Sequence, residues 1–226
     1  MKKFISLALT GLFVCSIADA QIVRADELET YAKEKYGAKW VDAADNLGKQ
    51  LSLDKNNALT FTQVIPAEGK TKEQLYVLLN YWFTTTFKDA NTAIKLNDKD
   101  LGTIIAQGYV KDIVHHLGGL NHYTINIRPV IKCDIKDDKV RVTYTIPYYS
   151  VTILVGGGWI RAIGNEPELS EQLWALDHCY PFDKYDERKK TSSKALVMAH
   201  AYSNVVMDKI EECVKNGLVG NENEDW

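Results

Sequence analysis

The clearest pattern of apolar and polar positions in the chain belongs to two helices. Thr71 and Gln74 form a capping-box pair, and apolar residues then recur three or four positions apart. A second stripe with this spacing begins at Ser192, and Gly217 suits the end of that helix. Each stripe predicts one buried helix face. The stripes are Leu75, Leu78, Leu79, Trp82, Phe83 and Phe87, and then Leu196, Ala199, Ser203, Val206, Ile210 and Cys213.

Alternating apolar and polar residues before and between these helices predict strands. Residues 58–65 form the first, and 92–96 with 103–110 form a hairpin. Residues 123–135 form one long strand, and residues 140–146 form the second strand of this hairpin. The pattern therefore predicts an α+β fold, with an antiparallel sheet packed by two long helices.

The remaining segments are predicted to flank or interrupt a domain that spans residues 58–218. Helix-prone residues in 21–57 predict an N-terminal helical arm. Residues 148–190 lack a clear period, which predicts an irregular insertion. The polar residues 219–226 predict a mobile tail.

Residues 1–20 have the order of a secretory signal peptide. Lys2 and Lys3 precede an apolar run over 4–17, and Ala18-Asp19-Ala20 follows as a small-x-small cleavage pattern. The run is too short to span a bilayer. We expect cleavage near Ala20, a periplasmic or cell-surface location, and no transmembrane span in the mature chain.

A lipoprotein signal at Cys15 is the alternative. Such a signal places a small residue directly before the cysteine, and here Val14 occupies that position. Cleavage after Ala20 therefore fits the sequence better.

Composition excludes several classes of protein. Of 226 residues, 46% are hydrophobic and 25% are charged, which is typical of a globular chain and not of a disordered one. The formal net charge is −3, and no stretch is strongly basic. A nucleic-acid partner is therefore not expected.

A set of residues in fixed order carries a resemblance to a known family. The set comprises Val64-Ile65, Gly69-Lys70, Trp82-Phe83, Phe87-Lys88, Asp98, Gly102, Ile104, Asp137, Lys139 and Arg141, with Tyr180-Pro181-Phe182, His200 and Glu211-Glu212 farther on. It resembles the domain-of-unknown-function family with a TBP-like fold, found in exported proteins of Bacteroidota. The resemblance implies a TBP-like fold and export. It implies no catalytic residues, and a fold alone does not imply DNA binding.

No metal or cofactor site is predicted. His115, His116 and His122 are close in sequence, but no cysteine or carboxylate stands at a ligand spacing from them. We interpret these histidines as part of a polar loop between strands. The glycines at 156–158 lack the Lys-Ser/Thr of a phosphate-binding loop.

The cysteines allow two interpretations. After signal cleavage Cys133, Cys179 and Cys213 remain, so one disulfide at most can form, for example between Cys179 and Cys213. Alternatively all three are buried thiols. Cys133 shares the apolar face of its strand with Ile131 and Ile135, which predicts a core thiol.

Two functions follow as hypotheses, and a purely structural domain is a third option. The first is an envelope domain without catalytic residues that binds a ligand or partner: an envelope protein, a peptide or a glycan. Aromatic residues of the irregular region, Tyr148, Trp159 and Trp174, are its candidate binding residues, although they could instead cover the sheet. The alternative is a small exported hydrolase, with Cys179 as nucleophile and His200 as base.

Overall fold

The computed structural model describes residues 24–87, 93–118, 120–156, 160, 163–164, 166 and 168–217. The helices are α1 (Ala25–Tyr36), α2 (Trp40–Gly48), α3 (Lys72–Thr86) and α4 (Lys189–Asn216). The strands are β1 (Leu59–Pro66), β2 (Ile94–Asp98), β3 (Thr103–Gln107), β4 (Val110–Gly118), β5 (Asn121–Ile127), β6 (Val130–Lys136), β7 (Lys139–Ile146), β8 (Tyr148–Val155) and β9 (Glu168–Ala175).

The strands form two antiparallel sheets, and the boundary at which the chain passes from one sheet to the other is called the crease below. A five-stranded sheet has the order β1-β7-β6-β3-β2, and a four-stranded sheet has the order β4-β5-β8-β9. Three chain segments pass from one sheet into the other, at Gly108, Pro129 and Pro147. Proline has no N–H to donate to a ladder, so strand pairing breaks at two of these points. At the third, the Gly108 N–H donates to the Pro129 carbonyl over 2.8 Å.

Helix α4 is the centre of the core. Its 28 residues would extend over about 42 Å, long enough to contact β4 and β5 of one sheet and β1 and β7 of the other. Helices α1 and α2 pack on α4 as well, so its N-terminal half is buried on nearly all sides. Helix α3 packs against β6 and α4. Both sheets therefore turn one face, the inner face, toward the helices.

The predicted fold class is confirmed. The structure is α+β with antiparallel sheets, the two long helices are α3 and α4, and the N-terminal arm consists of α1 and α2. Thr71 accepts from the Gln74 backbone N–H and the Gln74 side chain accepts from the Thr71 N–H, as the capping-box pattern predicts. Every residue of the second apolar stripe is buried.

The prediction of one long strand over 123–135 was wrong. Strand β5 ends at Ile127, and β6 begins at Val130 in the other sheet. Pro129 stands at this break, where the chain crosses the crease. Alternating hydrophobicity continues through the crossing because both strands bury the same side, so the pattern alone could not show it.

The prediction of an irregular region over 148–190 was also wrong, since it contains β8 and β9. Strand β8 buries Tyr149, Val151 and Ile153 on alternate positions. Strand β9 reads ELSEQLWA, and Trp174 is its one buried residue. A strand that is exposed on both sides lacks the apolar alternation from which strands are recognised.

Some predictions fall outside the described residues. These are the signal peptide at 1–20, the tail at 219–226 and the position of Trp159. Among the described helices, none has the length and apolar character needed to cross a membrane.

Candidate binding face

The outer face of the four-stranded sheet, which points away from α4, carries leucines. Side chains alternate along a strand, so the register of the buried residues identifies those that point outward. Across this face Leu117 of β4 lies opposite His122 of β5, and His122 lies opposite Leu154 of β8. Leu154 in turn pairs with Leu169 of β9. Leu173 projects from the same side of β9. Leu117, Leu154, Leu169 and Leu173 are called the leucine face below.

Most of the leucine face is open to solvent. Leu117, Leu169 and Leu173 expose 66%, 67% and 68% of their surface, while Leu154 is partly buried. Leu120, in the turn between β4 and β5, is 68% exposed. Single exposed leucines are common on proteins, so it is their grouping on one sheet face that makes this surface a candidate interaction site.

The outer face of the five-stranded sheet has a different chemistry. Asp134 pairs with Arg141 at 2.8 Å and with Lys132 at 2.9 Å, and Thr103 donates to the same carboxylate. Burial opposes ionisation of Asp134, but the hydrogen bonds from Lys132 and Arg141 outweigh it and hold its pKa below the usual range. The charged groups of this face therefore pair with one another. Val64 and Leu96, on the two edge strands, are exposed apolar residues on the same side.

The segment that follows β9 holds the inner side of that strand. The buried carboxylate of Asp186 accepts from the backbone N–H groups of Tyr180 and Arg188, and from Arg188 Nε at 3.2 Å. The Arg188 guanidinium thereby lies 4.0 Å from the centre of the Trp174 ring. A cation over an aromatic face is an attractive contact, so this arrangement fixes β9 from within.

The two candidate aromatic residues that the structure describes, Trp174 and Tyr148, do not form an exposed pair. Trp174 is 3% exposed, and its indole N–H donates to Gln172. It is a core residue rather than a platform for stacking a ligand. Tyr148 is partly buried at the start of β8, opposite Ala175.

The three clustered histidines lie on strands, so their interpretation as a polar loop was wrong. His115 and His116 belong to β4, and His122 belongs to β5. His115 and His122 point to the outer face, whereas His116 lies opposite Tyr123 on the inner side. In the described part of the chain, no group of three or more His, Cys, Asp or Glu could hold a metal ion.

The structure gives Cys179 and His200 different partners. The Cys179 thiol donates to the Ala175 carbonyl, and burial raises its pKa to about 12. His200 Nδ1 bonds the Tyr36 hydroxyl at 2.8 Å, and its ring also contacts Phe61 edge-on. Burial, with Lys35 nearby, lowers the His200 pKa to about 4. A thiolate nucleophile requires a low thiol pKa, so this geometry does not support the hydrolase.

All three described cysteines are buried free thiols. Cys133 lies in the core with Ile131 and Ile135, as its strand alternation indicates, and burial raises its pKa. Burial also raises the Cys213 pKa, to about 11. The Cys179–Cys213 bridge left open by the sequence is not formed.

Sequence reasoning missed the leucine face. In the sequence, Leu117 and Leu173 do not differ from buried leucines. Whether such a residue is exposed depends on the strand register, which determines the side of the sheet to which it points. The one available signal is in β9, where Leu169 and Leu173 stand among Glu and Gln rather than in an apolar run.

Comparison with known proteins finds a family match for the central part of the chain. Residues 61–150 match the family described as a domain of unknown function (DUF4468) with TBP-like fold. A search of curated proteins found no match.

Two solved structures are similar to the chain. A TBP-like protein from Parabacteroides distasonis is 10% identical, with a TM-score of 0.48 over 71% of this chain and 95% of that one. A DUF4468 family protein from Bacteroides ovatus is 11% identical, with a TM-score of 0.42 over 70% and 88%. The family match itself confirms, over residues 61–150, the resemblance indicated by the sequence, and with it the TBP-like fold.

Proposed function

We propose that the chain is an exported, non-catalytic envelope domain that binds a partner protein through the leucine face. The observation that carries this proposal is the exposure of Leu117, Leu169 and Leu173, each about two-thirds open on one side of one sheet. Their strands already bury apolar residues on the inner side. The fold therefore has a core without these leucines.

The energetics favour an occupant for this face. Transfer of a leucine side chain from water to an apolar contact is worth about 1.5–3 kcal/mol. Several such side chains on one sheet face support a specific but moderate interface, since association itself has a large entropic cost. A binding role thus accounts for residues that the fold does not require.

A protein partner fits the face better than a glycan does. Sugar rings stack on exposed aromatic side chains, but Trp174 is in the core. Leucines instead suit the apolar side chains of another protein. Export rests on the pattern of residues 1–20 and on the implied exported context of the family.

Photo-crosslinking in the native envelope tests the binding role. A photo-reactive residue replaces Leu173, and a matched control replaces Thr62, which is exposed on the outer face of the five-stranded sheet. We expect a discrete adduct at position 173 that Leu169→Ser removes, and none at position 62. Equal adducts at both positions, or none at 173, would contradict the proposal.

Mass spectrometry of the chain from a fractionated native host tests export separately. We expect a periplasmic or surface species that begins at Gln21. A cytoplasmic species that retains Lys2 and Lys3 would refute export, and lipid on Cys15 would refute the cleavage site.

A further inference from the structure

The free edge of β9 differs from the other sheet edges in the described part of the chain. Strands β1 and β2 are the edges of the five-stranded sheet, and β4 and β9 are the edges of the four-stranded sheet. An edge strand has unpaired N–H and C=O groups that another strand can bind, and proteins usually protect such edges. The four edges can therefore be compared for protection.

Two of these edges, β2 and β4, are short, irregular or covered, and the third, β1, is closed at its two ends. Strand β1 ends in Pro66, and Leu53 forms a bridge to its first residue. Strand β2 has five residues and an irregular register. Strand β4 has a register shift next to Asp112, helix α1 contacts it, and Lys194 donates to its His115 carbonyl at 3.2 Å.

Strand β9 has none of these protections. It pairs with β8 through eight consecutive residues without a bulge, and it contains no proline or lysine. At about 3.4 Å per residue it offers an edge of about 27 Å. No backbone hydrogen bond joins residues 168–174 to any described segment other than β8.

The charge of β9 limits what can bind there. Glu168 and Glu171 lie within the strand, and Glu166 is exposed just before it. The strand has no basic residue of its own. On the outer side Glu171 stands between Leu169 and Leu173, so this side has an apolar–acidic–apolar order.

A second copy of the chain fits this edge poorly. Two antiparallel β9 strands related by a two-fold axis would bury Leu169 of one against Leu173 of the other. That register sets Glu171 directly opposite Glu171 of the second copy. Like charges directly opposite each other destabilise a strand pair.

We propose that β9 binds an extended segment of the partner protein by antiparallel strand addition, and that this segment places a basic residue opposite Glu171. Apolar residues of the segment pack against Leu169 and Leu173, and a second basic residue faces Glu168. The inference rests on the proposed function and names the mode and chemistry of the same site. Backbone bonds supply attachment in such complexes, and alternate side chains supply specificity.

Calorimetric titration with a designed peptide tests the inference on the purified mature chain. The probe is capped Val-Thr-Val-Thr-Lys-Thr-Val-Lys, which in antiparallel register sets its lysines opposite Glu171 and Glu168. Its control has glutamate at both lysine positions. We expect the lysine peptide to bind and Glu171→Lys to weaken it about tenfold, because a favourable cross-strand pair becomes a repulsive one. Glu68→Lys, at an exposed turn distant in sequence, has the same charge change and should have no such effect.

Backbone methylation separates strand addition from charge attraction. Two versions of the lysine peptide are N-methylated, one at the outward-facing residues and one at the alternate residues. A strand bound by one edge uses only alternate N–H groups, so one version should lose binding and the other should retain it. Equal binding of both versions, or an unchanged affinity in Glu171→Lys, would overturn strand addition.

The outcomes also separate this inference from the proposed function. If the peptides fail to bind while the position-173 crosslink persists and requires Leu169, strand addition is refuted and the leucine face remains the binding site. If the crosslink is absent as well, both are refuted.

Discussion

The outer faces of the two sheets are built largely on the same three chain segments, yet they differ in chemistry. On one side of the crease, Asp134, Lys132 and Arg141 pair with one another. On the other side, Leu117 and Leu173 stand open to solvent. The inner faces of both sheets bury apolar residues against the helices, except along β9, where Trp174 is the one buried residue. Both sheets therefore form a core without the outer leucines.

This difference separates residues that hold the fold from residues available for binding. A sheet with one covered face normally alternates apolar-in and polar-out. The five-stranded sheet largely follows that rule, although Val64 and Leu96 on its edge strands are exposed on the outer side. The four-stranded sheet departs from it more widely, at the leucine face and along β9. Such departures from local consistency are expected at functional sites.

The largest expected effect compares the two sides of the four-stranded sheet. Ile125→Ala removes a fully buried side chain from β5 and should lower the free energy of unfolding by about 3 kcal/mol. Leu117→Ala, on the adjacent strand but outside, should change it by less than about 0.5 kcal/mol. Urea denaturation measures both. A loss above about 2 kcal/mol for Leu117→Ala would show that the leucine supports the fold.

An intermediate effect concerns the pH dependence of the inner layer. The folded-state pKa of His200, about 4, lies below that of an unfolded histidine, so the unfolded chain binds more protons between these values. Stability due to neutral His200 is thus full above about pH 6.5 and is lost as pH falls toward 4. At pH 5.5 the loss should be about 1 kcal/mol.

His200→Gln should flatten this part of the stability profile, although removing the bond to Tyr36 can lower stability at every pH. Leu117→Ala is the control and should keep the wild-type slope. If His200→Gln retains the full slope between pH 6.5 and 4, the titration belongs to another group.

The smallest expected effect concerns the charged outer face. Asp134→Asn should lower the free energy of unfolding by about 0.5 kcal/mol at low salt and less at high salt, as for partly exposed ion pairs. Because the folded pKa of Asp134 is lowered, its contribution is present at neutral pH and is lost as pH falls through that pKa. Glu171→Gln on β9 is the matched control, with no salt-dependent loss expected. Equal losses in both variants would remove the distinction between the faces.

The sequence predicted the core better than the surface, for a physical reason. Burial imposes a period on the residues that pack, so the stripes of α3 and α4 and the inward position of Cys133 could be recognised. The capping pair at Thr71 and Gln74 is local and was equally readable.

What the sequence could not show depends on long-range pairing. The chain crosses between the sheets at Pro129 without any change in the alternation of apolar and polar residues. Strand β9 forms because β8 pairs with it, and its own composition does not indicate a strand. The exposed state of Leu173 follows from that pairing. Trp174 was a candidate binding residue because the sequence shows that the residue is aromatic but does not show that Arg188 covers its ring.

Amide hydrogen exchange of the purified chain, with and without the Val-Thr-Val-Thr-Lys-Thr-Val-Lys peptide, tests the central claim most directly. The account predicts rapid exchange at alternate β9 amides in the free protein, and protection of those amides alone when the peptide binds. Amides of β4, whose edge helix α1 contacts, should not change. Slow exchange along all of β9 in the free protein, or peptide protection at β4 instead, would contradict the account.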